Sequence, residues 1–269
     1  MFLSALRKPV DTFTPSLGHL YRRLRDVSVA QRSRQTVYGF TLAGDAQIAS
    51  GDFEACEVAA FLELLESHDT VLDIGANIGF YSCLAASRGK HVVSFEPSPR
   101  NLNFLYRNLW ENNLRSAEVF PVGLGGHSGL ARIYGFGGIS SFVPGWAQAK
   151  DSNYSLVPVM TLDTVTAKRF EGQKLLIKMD VEGSELDVLA GAKETLNREP
   201  RPTWLVEILL RDDVIPEGIN GRFVETFEVF RRCGYECRQL DKTRRPVEGV
   251  DIQHWVSTGA ADCKNFLLV

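Results

Sequence analysis

Four acidic residues stand where an α/β chain presents its chemistry. Asp73 lies in Val71-Leu72-Asp73-Ile74-Gly75-Ala76-Asn77-Ile78-Gly79, Glu96 closes His91-Val92-Val93-Ser94-Phe95-Glu96, Asp180 ends the run from Lys174, and Glu207 ends Trp204-Leu205-Val206-Glu207. The first two belong to one device. A strand, a turn with Gly75 and Gly79, a helix and a second strand ending in Glu96, 21 residues beyond Gly75, make a nucleotide-binding half-site. Its glycines allow a sharp turn and close approach of a ligand, and its acid accepts hydrogen bonds from ribose hydroxyls. An ordinary β-turn-α junction with a surface Glu96 is the plainer alternative.

The spacing of the turn selects the nucleotide. A dinucleotide site wants G-x-G-x-x-G so that bare amides meet a pyrophosphate, but two residues after Gly75 stands Asn77, giving D-x-G-x-N-x-G. S-adenosylmethionine has no phosphate to cradle, and an acid in the turn complements its cationic end. The expected ligand is therefore the methyl donor, with a nicotinamide dinucleotide as the second candidate.

The elements that must hold these residues alternate in type. Thr36 to Ile48 suits a strand or hairpin, and Phe53 to Leu65 a helix. Then follow strand Thr70–Ile74, helix Gly79–Ser87, strand His91–Glu96, helix Ser98–Asn112 with Pro99 early in it, and strand Ala117–Val122. Gly123 to Tyr154 holds eight glycines and no long periodic run, so it reads as an insertion of short strands and loop, with Gly135 to Asn153 a candidate lid. Strand Val157–Leu162, strand Lys174–Asp180, helix Ser184–Leu196, strand Thr203–Ile208, helix Phe223–Cys233, strand Tyr235–Leu240 and strand Asn265–Val269 complete the order. Such alternation gives an α/β, doubly wound parallel sheet whose ligands sit at the carboxyl ends of the strands. All four acids then share one rim.

Composition sets the outer bounds. With 269 residues and 44% hydrophobic content the chain can bury a large core. The expected division is a basic extension with its hairpin over residues 1–50 and a catalytic domain over 51–269. Residues 1–50 carry seven Lys or Arg, among them Arg22, Arg23, Arg25, Arg32 and Arg34, against three acids, whereas the whole chain is at −3. That balance offers no global field for nucleic acid, and no N-P-P-Y or D-P-P-Y segment for a flipped base appears. No apolar run reaches membrane-spanning length, so a soluble, cytoplasmic protein is expected. Five cysteines without a C-x-x-C pair are read as reduced thiols.

Three segments together resemble the FkbM-type methyltransferases. They are Leu72-Asp73-Ile74-Gly75-Ala76-Asn77-Ile78-Gly79, Phe95-Glu96-Pro97 and Ile177-Lys178-Met179-Asp180-Val181-Glu182-Gly183-Ser184-Glu185. The K-x-D-V-E-G-x-E signature is the specific part, and the resemblance runs over roughly residues 36 to 269. It implies a class I fold with seven strands, the last antiparallel, S-adenosylmethionine as donor, and methylation of a hydroxyl oxygen. The expected donor contacts are Asp73, Gly75, Ala76, Asn77, Gly79, Phe80, Tyr81, Glu96, Pro97, Gly123, Leu124 and Asp180.

The transfer itself asks for alignment of the acceptor, exclusion of water, and a base or a metal to take the hydroxyl proton. Asp180, Glu182 and Glu207 are the candidates, and Asp180 with Glu207 could instead hold a divalent ion such as magnesium. Glu182 has an equal claim as a helix-start residue, and Glu207 as the salt-bridge partner of an arginine such as Arg211. His68 and His91 fall at the opposite rim, whereas His127 and His254, both read as loop residues, could reach an acceptor. Ser140, Ser141, Trp146 and His254 are the expected contacts to the substrate, a hydroxyl-bearing small molecule, sugar or lipid-linked saccharide. A donor-binding domain without catalysis is the rival class of function.

Overall fold

The computed structural model describes residues 32–45, 48, 51, 54–135, 137–212 and 214–269. The chain divides into two units, residues 1–53 and 54–269. In the first, Arg34–Gln35 pairs antiparallel with Thr41–Leu42, and the Thr36 hydroxyl donates to the Phe40 carbonyl at 2.7 Å. The hairpin is thus shorter and earlier than the expected Thr36 to Ile48 span. Arg22, Arg23 and Arg25 lie outside the described residues.

The second unit opens with α1, Ala55–Leu65, which buries Val58, Phe61 and Leu65 at helical spacing together with Glu57. Next come β1 (Thr70–Ile74), α2 (Phe80–Ser87), β2 (His91–Phe95), α3 (Pro99–Glu111) and β3 (Glu118–Phe120). Three short strands follow, β4 (Gly123–Leu124), β5 (Gly129–Tyr134) and β6 (Tyr154–Met160). The chain then forms α4 (Leu162–Thr166), β7 (Leu175–Met179), α5 (Glu185–Ala190), α6 (Lys193–Leu196) and β8 (Thr203–Glu207). It ends with α7 (Phe223–Arg232), β9 (Cys237–Gln239), α8 (Gly249–Thr258) and β10 (Asn265–Leu268).

Seven strands form one sheet in the order β9-β10-β8-β7-β1-β2-β3. β10 runs antiparallel to both neighbours, and every other pair is parallel. The order grows outward from β1 in both directions, so the gap above β1 and β7 is the topological switch point where such sheets bind ligands. β1 and β7 are buried along their whole length, as central parallel strands must be. Beneath β8 and β10, Trp204, Phe227, Phe230 and Phe266 make edge-to-face contacts that anchor α7 to the sheet.

Several boundaries differ from the sequence reading, each for a local reason. The expected Ser184–Leu196 helix breaks at Gly191, where a Cβ would run into the Gly125 carbonyl, so two short helices replace one. The expected Val157–Leu162 strand is β6, which joins β4 and β5 in a separate three-stranded sheet. Leu162 instead opens α4, capped by the Thr161 hydroxyl, which accepts from the Thr164 amide at 3.2 Å. α8 was not anticipated. A reciprocal Glu248 and Asp251 capping box starts it, and Ile252 and Trp255 bury one face. All five cysteines are free thiols.

Candidate active site

A cleft opens over the carboxyl ends of β1, β2 and β7, lined among others by Gly75, Asn77, Glu96 and Asp180. Its floor is Gly75, with φ +81°, where any Cβ would collide with the Asp180 carbonyl. The glycine is therefore required by the crossing of two strand ends and not only by a ligand. Gly79, with φ +87°, is needed because a Cβ would strike Leu105 of α3, so it serves packing and does not line the cleft. Asn77 takes a left-handed φ of +52°, a conformation asparagine tolerates better than most residues.

Glu96 stands on the β2 side. Its Oε2 accepts from the Asn77 amide at 2.8 Å, and its Oε1 accepts from the Ser98 amide at 2.8 Å and the Asn101 side-chain amide at 3.3 Å. These bonds fix the carboxylate across the cleft from Asp180 while leaving lone-pair sites for a ligand. Burial pushes its pKa up to about 7, against the opposing pull of those donors. Pro97, Gly123 and Leu124 also line the cleft. So do Phe142, Ile133, Asn101 and Ser184, which the sequence did not single out.

Other expected donor contacts are turned elsewhere. Asp73 is buried, and its Oδ2 accepts from the Ser82 hydroxyl at 2.5 Å, so it ties β1 to α2. Burial raises its pKa to about 6. Phe80 and Tyr81 are buried in α2, and Ala76 is buried too; none of the three lines the cleft.

Tyr81 instead leads to a buried charge network next to Asp180. Its hydroxyl donates to Glu54 Oε2 at 3.0 Å. The fully buried Lys178, one pleat repeat before Asp180, places Nζ 3.1 Å from Glu57 Oε1 and 3.5 Å from Asp180 Oδ2. Its acidic neighbours, Glu57 foremost, outweigh burial and raise its pKa. At the outer edge Lys264 donates to both oxygens of Glu207 at 3.0 Å and lies 3.8 Å from Glu54. The partner of Glu207 is thus Lys264 and not Arg211. The antiparallel pairing of β10 with β8 sets Glu207 opposite Asn265 and so brings Lys264 alongside. Burial, then Asp180, pushes Glu207 up to about 8. Burial, then Glu57, pushes Glu54 up to about 7.

Carboxylate oxygens of Glu54, Glu57 and Glu207 lie within 4.8 Å of one another. Asp180 is not in that group, and the two lysines already lie against its members. A divalent ion on Asp180 and Glu207 would have to displace Lys264 from a two-point contact. The donor set fits ammonium groups better than a metal.

The insertion is fastened to the signature turn. Ser141 Oγ donates to the Glu182 carbonyl at 2.5 Å, and Trp146 Nε1 donates to Glu182 Oε2 at 2.9 Å. Glu182 is left-handed at φ +52°, and Gly183 at φ +89° leaves room for the Trp146 ring, 2.5 Å from where a Cβ would stand. Burial, then Asp180, pushes Glu182 up to about 8. Ser141 and Trp146 are therefore buried latch residues and do not face an acceptor, whereas Ser140 lines the cleft. His254 is exposed on α8, not in a loop, and does not line the cleft. Of the other histidines, His68 is buried with Nδ1 2.6 Å from the Leu64 carbonyl, His91 pairs with Glu118 at 2.9 Å, and His127 lines a second groove over β5 and α5.

A seven-stranded sheet with one antiparallel strand and a glycine turn at its switch point is the class I methyltransferase fold. The methyltransferase FkbM domain model matches residues 73–237, more than half of the chain, and the chain belongs to that family. The hexuronic acid methyltransferase AglP of Haloferax volcanii is 30% identical over 150 residues, an alignment covering 52% of this chain and 56% of that protein. The chain thus spans about half the length of the curated relative it matches. Among solved structures, the precorrin-6y C5,15-methyltransferase of Geobacter metallireducens is similar at 12% identity and TM-score 0.43, over 84% of this chain and 91% of that one. The fibrillarin of Aeropyrum pernix, solved with natively bound S-adenosyl-L-methionine, is similar at 14% identity and TM-score 0.43, over 79% and 73%.

Proposed function

We propose that this chain transfers a methyl group from S-adenosylmethionine to a hydroxyl oxygen of a saccharide, free or lipid-linked. The observation that carries the reading is the pairing of Glu96 and Asp180 across one cleft at the switch point, with Gly75 between their strands. The FkbM family and the glycan-directed relative support it. Glu96 would hold the ribose, Gly75 and Asn77 the chain beyond it, and the apolar walls of Leu124, Ile133 and Phe142 the base. When bound, the donor supplies an electrophilic methyl on a sulfonium.

The protein's own task is then to orient the acceptor and take its proton. Glu182 is committed to Trp146 and Glu207 to Lys264, which leaves Asp180 as the carboxylate that both lines the cleft and meets the acceptor. Its Oδ atoms accept the hydroxyl proton, Lys178 holds the carboxylate in place, and the latched insertion keeps water out.

Among the described residues no helix is long and apolar enough to cross a membrane. Calorimetry with S-adenosylhomocysteine and with NAD tests the donor, and donor turnover against a panel of saccharides and small hydroxyl compounds tests the acceptor. Binding of NAD in preference, or donor binding without turnover on any hydroxyl compound, would overturn the reading.

A further inference from the structure

We propose that Ser184 is a donor-binding residue whose hydroxyl hydrogen-bonds the nucleoside half of the methyl donor. The inference rests on the cleft being the donor site. Ser184 occupies the position before α5 where a serine ordinarily turns its oxygen back onto an amide of the first turn. It makes no such bond, and its φ of −102° and ψ of 14° are not those of an extended cap. The Asp187 amide, which such a cap would take, donates to the Ser184 carbonyl at 3.1 Å.

The Ser184 hydroxyl is therefore left over. The residue is 1% exposed, and Oγ has no hydrogen-bond partner among the described residues. A buried hydroxyl in that state is destabilising, and native proteins rarely leave one so. The residue lines the cleft, so a bound ligand can supply the missing partner.

The surroundings indicate which part of the ligand. Val181, Ile133, Phe142 and Leu124 present apolar surface to the same cleft, suited to the faces of a purine. The edge of a purine carries ring nitrogens and an amino group that require partners once out of water. Glu96, tied to Asn77, is the ribose position. A hydroxyl serves such an edge well because it can donate or accept.

The test compares the parent with Ser184→Ala, using the full chain, by calorimetry with S-adenosylhomocysteine and with 5′-methylthioadenosine, which lacks the amino-acid portion. Loss of one neutral hydrogen bond should weaken both ligands by roughly 2- to 10-fold. The ligand-free variant should unfold at the same temperature as the parent or higher, since an unpaired buried hydroxyl has been removed. Unchanged affinity for both ligands would overturn the proposal, and so would weakening confined to S-adenosylhomocysteine. A lower melting temperature with unchanged affinity would make Ser184 a structural residue and overturn it as well. If the parent binds neither ligand, the donor reading of the cleft fails first and takes this assignment with it.

Discussion

Lys178→Met puts the buried charge network to a direct test. The substitution keeps an unbranched apolar stem and removes only the ammonium, which lies 3.1 Å from Glu57 and 3.5 Å from Asp180. Glu57 is 2% exposed, and neither of its oxygens accepts a hydrogen bond in line, so without Lys178 it becomes an uncompensated buried charge. Breaking such a pair costs about 3–5 kcal/mol, whereas replacing both partners with neutral groups is often close to neutral. Glu57→Gln combined with Lys178→Met should therefore regain most of the loss. At about 2–4 °C per kcal/mol for a domain approaching this size, the single variant should melt roughly 6–20 °C below the parent. Urea unfolding of the four proteins in the cycle gives the coupling directly. A single variant within about 1 kcal/mol of the parent, or a double variant no more stable than the single, would refute the argument. Activity separates folding from chemistry: the refolded double variant still lacks the cation that holds Asp180, so its turnover should stay low.

Four further outcomes follow from the same geometry. Asp180→Asn keeps shape and loses charge, so turnover should drop by roughly 10²-fold or more with S-adenosylhomocysteine affinity nearly intact; full activity would remove Asp180 as the base. Glu96→Ala should weaken S-adenosylhomocysteine by about 2 kcal/mol or more, because charge-assisted bonds to the ribose are lost, and equal binding by a folded variant would sink that assignment. Glu182 and Glu207, raised by burial from about 4.5 to about 8, retain protons in the folded state that the unfolded chain has released. Stability should therefore be greatest below about pH 4.5 as far as these groups are concerned and fall as pH rises through 8, with a slope of up to about 1.4 kcal/mol per pH unit for each. Glu182→Gln should flatten that decline, and a profile that climbs over the window would contradict it. Since Lys264 holds both Glu207 oxygens, treatment with EDTA should leave turnover unchanged; loss restored by magnesium would put a metal at Asp180 and Glu207 after all.

What was legible in the sequence is what short-range constraints encode. Gly75, Asn77 and Glu96 could be read because one turn and two strands dictate their spacing, and the continuous apolar run into Asp180 could be read because a central parallel strand is buried on both faces. Lys178 carries a signal of its own: a single charge inside an otherwise apolar strand must find partners. Those partners were not legible, since Glu57 comes from a helix before the first core strand, and Lys264, which serves the neighbouring Glu207, comes from the far end of the chain. Ser141 and Trp146 are not decided by the sequence, for a related reason. Residue type suits either a sugar contact or a latch, and only the packing of the insertion on Gly183 decides between them. For α8 the local signals existed in Glu248, Asp251, Ile252 and Trp255, but Gly249 at its start masked them.

The signature segment from Lys178 to Glu185 behaves as one mechanical piece. The pleat puts Lys178 and Asp180 on one side of β7, so the buried lysine and the cleft carboxylate are set by the same strand. Past Asp180 the chain turns through the left-handed Glu182 and Gly183, a conformation that a bulky residue adopts only when its surroundings impose it. Ser141 and Trp146 impose it from above through the Glu182 carbonyl and carboxylate, and Glu185 braces it from below through the Gly183 amide. The insertion cannot lift without disturbing the turn that carries Asp180 and Ser184. The latch and the Asp180 carboxylate are thus joined by covalent continuity over three residues.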